Sequence, residues 1–249
     1  MHKRSCLSLT LALAGVLNAA HASGVDVTLL YVSHPAFHID KHNTGKMEGI
    51  IAELVTQAFQ QAGISYKWQQ IPLARQHQIL QESEESACIV GALKNPEREK
   101  AGKFSHPFYQ GRPVVAMTRA DNAAMEDNRK LEDTLRQPQL TILSKVGYSF
   151  GKFVDDSVAR YQPRTEATSA ELPIMLNMLM ARRGDYFFMS EDAYAALVAA
   201  SSFRPEQFKL VHFSDITKGN LRYMWCSRKV PDSLINKLNV EIDKLFKKG

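Results

Sequence analysis

Residues 47–63 read Met47-Glu48-Gly49-Ile50-Ile51-Ala52-Glu53-Leu54-Val55-Thr56-Gln57-Ala58-Phe59-Gln60-Gln61-Ala62-Gly63. Ile51, Leu54, Val55, Ala58 and Ala62 recur at helical spacing, so the pattern predicts a helix over Met47–Ala62 with one apolar side, stopped by Gly63. Before it, Val25 to Val32 is strand-like. After it, Ile64, Tyr66 and Trp68 alternate with polar residues as in a half-buried strand. Pro72 opens a second helix to about Gln81, and Ala87 to Gly91 is a short apolar strand. The order strand, helix, strand, helix, strand is that of a parallel sheet covered by helices.

A second alternating series follows an extended segment, Phe108 to Met117, that contains a strand at Val114–Met117, and a polar turn at Asp121–Arg129. Strands are predicted at Leu140–Leu143, Tyr186–Met189 and Leu210–Phe213. Helices are predicted at Phe150–Tyr161, Leu172–Ala181 and Glu191–Ala199. A final strand (Leu221–Cys226) and a helix opened by Pro231 are left over, free to return to the first series. The expected architecture is α/β and two-lobed, with a ligand cleft between the lobes. The expected division is 24–112 plus 221–249 for one lobe and 113–220 for the other.

Composition agrees with a globular chain: 249 residues, 45% hydrophobic and 23% charged, which excludes disordered and disulfide-dense classes. The net charge of +5 is scattered rather than clustered, so no nucleic-acid partner is expected. Lys244, Lys247 and Lys248 read as a solvated helix face. The N-terminus has a basic start (Lys3, Arg4), an apolar run from Cys6 to Leu17 and an Ala20-His21-Ala22 cleavage pattern. Together these are the parts of a secretory signal peptide, residues 1–22, removed after Ala22. Its removal leaves two cysteines, Cys88 and Cys226, in an oxidising compartment, where an even pair is expected to bond.

Two segments stand out for chemistry. Gly147-Tyr148-Ser149-Phe150-Gly151 follows a strand and opens a helix. As G-x-S-x-G it is compatible with a nucleophile elbow, with Asp185 or Asp192 and His212 completing a Ser-Asp-His order. As a helix-opening turn it offers N–H groups and a hydroxyl to a carboxylate. The binding reading is favoured because no oxyanion-type glycine run lies upstream. In Asn95-Pro96-Glu97-Arg98-Glu99, Asn95 caps a helix that Pro96 begins. That places Arg98 on its first turn, either as a two-pronged carboxylate clamp at the cleft or as a surface partner of Glu97 or Glu99. His34, His38 and His42 have a spacing that suits a metal only on a helix, and Pro35 and Gly45 argue for a loop, so no metal or other cofactor is expected.

Pro35-Ala36-Phe37, the Gly45–Ile50 segment, the helix ending in Ala62-Gly63-Ile64, the Asn-Pro-Glu-Arg turn followed by Phe104–Tyr109, the Gly147–Gly151 turn and Arg183-Gly184-Asp185-Tyr186 together resemble family 3 extracellular solute-binding proteins along nearly the whole mature chain. The resemblance implies a type II periplasmic-binding-protein-like clamshell, a binder rather than an enzyme. It would be a periplasmic monomer that passes a small polar, carboxylate-bearing, amino-acid-like ligand to an ABC-type importer or a receptor in the inner membrane, with a secreted enzyme on the same fold, such as a dehydratase, as the alternative. It implies that Arg98, beside Asn95, holds the ligand carboxylate, that Gly147, Tyr148 and Ser149 donate to the same group, and that Phe37 packs on the ligand. The acid expected near the ligand's amine has Ser190 and Glu191 in its place, and the usual Thr of the arginine turn is Asn95. Both departures point away from an ordinary α-amino acid ligand.

Overall fold

The computed structural model describes residues 26–34, 36–37, 40, 46–82 and 84–246. The predicted signal peptide (1–22), His38, His42, Lys247 and Lys248 lie outside them. Two sheets form, one in each lobe. The first contains β1 (Val27–Tyr31), β2 (Tyr66–Gln70), β3 (Ala87–Ala92) and the short β4 (Lys103–Phe104) and β5 (Tyr109–Gln110). It is interleaved with α1 (Ile50–Ala62), α2 (Leu73–Glu82) and α3 (Pro96–Ala101). The second contains β6 (Val114–Arg119), β7 (Thr141–Lys145), β8 (Arg164–Thr168), β9 (Tyr186–Ser190) and β10 (Phe208–Val211). Its helices are α4 (Leu131–Leu135), α5 (Lys152–Tyr161), α6 (Leu172–Met180) and α7 (Tyr194–Ala199). The chain then supplies β11 (Leu221–Cys226) and α8 (Asp232–Phe246).

In the first sheet the order is β2-β1-β3-β11-β4, with β5 also on β11. The β2-β1-β3 pairs are parallel, while β11 runs antiparallel to β3. The leftover strand and helix therefore pack with the first series: β11 on β3, and α8 against α1. The second sheet has the order β10-β6-β9-β7-β8 and is mixed, since β6 is antiparallel to both of its neighbours.

Period-two alternation explains how each sheet is covered on both faces. Val27 and Leu29 of β1, Val90 of β3 and Met224 of β11 face α1 and α8, meeting Ile51, Val55, Phe59, Leu238 and Ile242. Leu30, Ile89 and Trp225 point the other way, onto Ile79 and Leu80 of α2. In the second sheet Val115, Met117, Phe187 and Met189 meet α6 and α7. Ala116, Tyr186 and Phe188 meet Leu131, Leu135 and Val154 from α4 and α5.

Several boundaries differ from the sequence reading. The first helix begins at Ile50 rather than Met47, because Gly49, with φ at +109°, breaks the helical path just before it. The strand β8 escaped prediction: Arg-Thr-Glu-Ala-Thr is polar and exposed, an edge strand with no apolar alternation. Tyr66 and Trp68 pack at the rim of the first core, and Arg75 faces solvent, 3.8 Å from Glu82.

Two segments connect the lobes, residues 111–113 and 212–220, and they pass very close together. A Cβ added at Gly219 would lie 1.7 Å from the Gly111 carbonyl oxygen, so only glycine fits there. The Gly111 N–H donates to the Asn220 carbonyl (3.2 Å).

Cys88 and Cys226 stand opposite one another in the β3–β11 register and are disulfide-bonded across 138 residues of sequence. The bond closes a loop that contains the whole second sheet. Such a crosslink stabilises by about 2–4 kcal/mol in the chain-entropy view. The double variant Cys88→Ala, Cys226→Ala is expected to melt about 5–15 °C below the oxidised wild type by calorimetry. Equal melting temperatures would show that the crosslink contributes nothing.

Candidate functional site

The carboxyl ends of β1, β3, β7 and β9 and the start of β11 converge where the two sheets face each other. They enclose a cavity of about 120 Å³ and, beside it, a more open one of about 440 Å³. Arg98, His77, Tyr148 and Trp225 belong to the walls of both.

Arg98 is placed by local sequence. The Asn95 side chain accepts from the Arg98 N–H (2.8 Å), and Pro96 opens the helix, so the arginine leaves the first turn pointing inward. Only 9% of it is exposed. Its Nη1 donates to the Leu93 carbonyl (2.8 Å) and its Nη2 to the Gly147 carbonyl in the second lobe (3.2 Å). The guanidinium carbon lies 5.4 Å from the Trp225 ring centre. Burial depresses its pKa, opposed by the negative charges of Asp155 and then Glu97. The surface alternative does not form, since Glu99 pairs with Lys94 at 3.0 Å.

Gly147–Gly151 meets Arg98 differently from the expectation of open donors. Gly147 takes φ of +79°, and the Tyr148 N–H donates to the Lys145 carbonyl (3.1 Å). Asp155, in the first turn of α5, reaches back to accept from the Phe150 N–H (2.9 Å) and the Ser149 hydroxyl. The Gly151 N–H donates to Ser149 Oγ (3.2 Å). Four donors of the turn are thus engaged internally, two of them by Asp155, an acid in the first turn that serves as the anion the helix start attracts. The group that Gly147 presents to Arg98 is a carbonyl oxygen.

No Ser-Asp-His relay assembles at Ser149. His212 lies 3.2 Å from Asp127 and 3.6 Å from Glu191. Asp185 accepts from the Thr141 N–H and Asp192 from the Arg112 N–H.

Phe37 is buried (3% exposed), lines the smaller cavity and stacks on His34 with ring centres 4.4 Å apart. Tyr148 also lines that cavity. Burial first, then the charge of Glu171, pushes its hydroxyl up to about 12, with Arg222 acting in the opposite sense. Asn95 lines only the larger cavity, its side chain engaged as a cap. Glu191 does not line either cavity: it lies 3.7 Å from Arg112 and turns toward His212, leaving Ser190 on the wall. The cause is the turn after β9, where Ser190 is the last strand residue and a 3₁₀ segment carries Glu191 off the sheet axis.

Arg222 is the main residue that sequence reasoning missed. Its Nη1 donates to the Gly91 carbonyl (3.1 Å), and its guanidinium carbon lies 5.2 Å from the Phe37 ring centre. The only signal was an arginine at the head of an otherwise buried strand, and a register shift between Tyr223 and Met224 obscures its direction. His77 was missed as well. It lines both cavities from α2, and its Nε2 is buried without a hydrogen-bond partner.

Burial, and next the charge of Arg98, lowers the His77 pKa from its ordinary value near 6.5 to about 4, against the opposing charge of Glu97. The unfolded chain takes up this proton at higher pH than the folded one. Stability is therefore lost as pH falls from about 6.5 to about 4, and is unaffected above that range. His77→Gln is expected to show a smaller drop in melting temperature between pH 7 and pH 4.5 than the wild type. An identical drop in both would contradict the assignment.

The sequence from residue 29 to 249 matches the bacterial extracellular solute-binding proteins, family 3. Among curated protein sequences, none matches this chain. Solved structures share its fold. An ancestral arginine-binding protein bound to arginine is similar at a TM-score of 0.70 and 16% identity, over 90% of this chain and 92% of that one. The arginine-bound Gly52Ala mutant of the arginine-binding protein from T. maritima is similar at 0.68 and 17%, over 88% and 94%. A periplasmic binding protein of high arginine specificity from Salmonella typhimurium is similar at 0.65 and 15%, over 89% and 92%. No helix among the described residues is long and apolar enough to cross a membrane. With two α/β lobes, a cavity between them and a family match across more than half its length, this chain belongs to the family 3 bacterial extracellular solute-binding proteins.

Proposed function

We propose that this protein, exported and cleaved after Ala22, works as a periplasmic monomer that captures a small carboxylate-bearing solute and delivers it to an ABC-type importer in the inner membrane. One lobe comprises 24–112 and 221–249, the other 113–220. The two connecting segments, close-packed at Gly111 and Gly219, act as the hinge. The reading is carried by the inward-turned guanidinium of Arg98 at the wall of a cavity between the lobes.

Arg98 spends one of its hydrogen bonds on a neutral carbonyl across the cleft, at 3.2 Å. A ligand carboxylate accepts from the same fork with full charge, and such charge-assisted bonds are shorter and stronger than those to a neutral oxygen. Exchange of the Gly147 carbonyl for the carboxylate therefore favours the bound state, while the turn keeps its shape through Asp155. Phe37 covers the carbon skeleton, and the Tyr148 hydroxyl remains protonated and able to donate.

Arg98→Ala is expected to weaken carboxylate binding by at least about tenfold in calorimetry, from the loss of a charge-assisted contact of about 1.5–3 kcal/mol. Arg98→Lys keeps the charge without the fork and should recover only part of it. Unchanged affinity in the alanine variant would refute the clamp.

A further inference from the structure

All 26 acidic residues of the chain lie among the described residues, and none of them lines the 120 Å³ cavity, whereas two arginines do. Glu97 and Asp155 line only the larger, adjoining cavity, and Asp155 and Asp192 are already engaged. Asp192 accepts from the Arg112 N–H (2.7 Å), the Ser190 hydroxyl (3.1 Å) and the Tyr109 hydroxyl. Asp155 holds the Phe150 N–H and the Ser149 hydroxyl. At the end of β9 the wall is Ser190, with Glu191 directed away.

The second arginine is incompletely partnered. Among the described residues Arg222 Nε is buried with no hydrogen-bond partner, while its Nη1 donates to the Gly91 carbonyl. A nitrogen of this kind donates and never accepts. Burial first, and the charge of Arg98 in the same sense, disfavour the charge of Arg222, and an unpaired donor in a buried site is costly until an acceptor arrives. His77 Nε2 and Trp225 Nε1 are further buried polar atoms without a hydrogen-bond partner on residues of the cavity walls.

We infer that the cavity is selective for a short dicarboxylate carrying no amino group, with Arg98 holding one carboxylate and Arg222 the other. This rests on the reading of Arg98 as the carboxylate clamp and adds the identity of the ligand's other end. An ammonium or guanidinium group placed in the 120 Å³ cavity would meet two cations and no carboxylate in its walls. The small volume of this cavity, about 120 Å³, favours a short carbon chain.

Calorimetry on the signal-free protein tests this with four probes: succinate, L-aspartate (the same skeleton with an ammonium), butyrate (one carboxylate fewer) and L-arginine. Succinate is expected to bind at least about tenfold more tightly than any of the others. Arg222→Gln should bring succinate down to within about threefold of butyrate, and Arg222→Lys should restore part of the difference. Circular dichroism and melting temperature establish that each variant is folded. Ser190→Asp, which does not depend on Arg222, should reverse the order of succinate and L-aspartate. Tighter binding of L-aspartate or L-arginine than of succinate by the wild type overturns the inference, as does an equal loss for succinate and butyrate in Arg222→Gln. If carboxylates bind through Arg98 but are indifferent to Arg222, the clamp stands and the second subsite falls. If no carboxylate binds at all, both fall.

Discussion

The Arg98 guanidinium donates to the Leu93 carbonyl within its own lobe and to the Gly147 carbonyl of the other, and it is nearly buried. Removing a full charge from water is costly unless the charge is well hydrogen-bonded, and the surrounding structure supplies what is needed. Asn95 and Pro96 fix the start of the helix that aims it. Trp225 lies against its face at 5.4 Å, and Asp155 and Glu97 supply opposing charge from outside the smaller cavity. None of these groups neutralises the cation inside that cavity. A cation fixed in place and hydrogen-bonded only to neutral carbonyls is prearranged for an anion, and that arrangement links the fold to the proposed ligand capture.

The strand β11 connects this site to the topology. The chain leaves the first sheet near Gly111, builds the entire second lobe and returns at Gly219. The returning strand carries Arg222 into the cavity, Trp225 onto Arg98 and Cys226 into the bond with Cys88. The disulfide is therefore set close to the functional wall, on the strand pair that brings Arg222 and Trp225 to it. The connecting segments cross tightly at Gly111 and Gly219, the place of the proposed hinge.

The two α/β series were legible because buried parallel strands and amphipathic helices leave strong apolar periods, as in Val27–Tyr31 and Ile51–Ala62. The inward placement of Arg98 was half legible: the cap and proline fixed the helix start, but spacing did not separate cleft from surface. The elements that stayed hidden depend on tertiary context. β8 is a polar edge strand whose partner alone makes it a strand. Asp155 looked like an ordinary first-turn acid, and only the folded turn shows it engaging Ser149 and Phe150. Glu191 was one residue from the wall, and the 3₁₀ turn after Ser190 sends it toward His212. Arg222 required knowledge that the last strand lies beside β3, a non-local pairing that no local pattern encodes.

A crystal structure of the protein with the tightest ligand from a thermal-shift screen of organic acids, amino acids, polyamines and sugars bears most directly on the anion-binding site. Carboxylate oxygens within hydrogen-bond distance of Arg98 Nη1 and Nη2, in place of the Gly147 carbonyl and beneath Phe37, are the expected result. A ligand seated elsewhere, or held in this cleft through a positively charged end while Arg98 keeps its contact with Gly147, would contradict it.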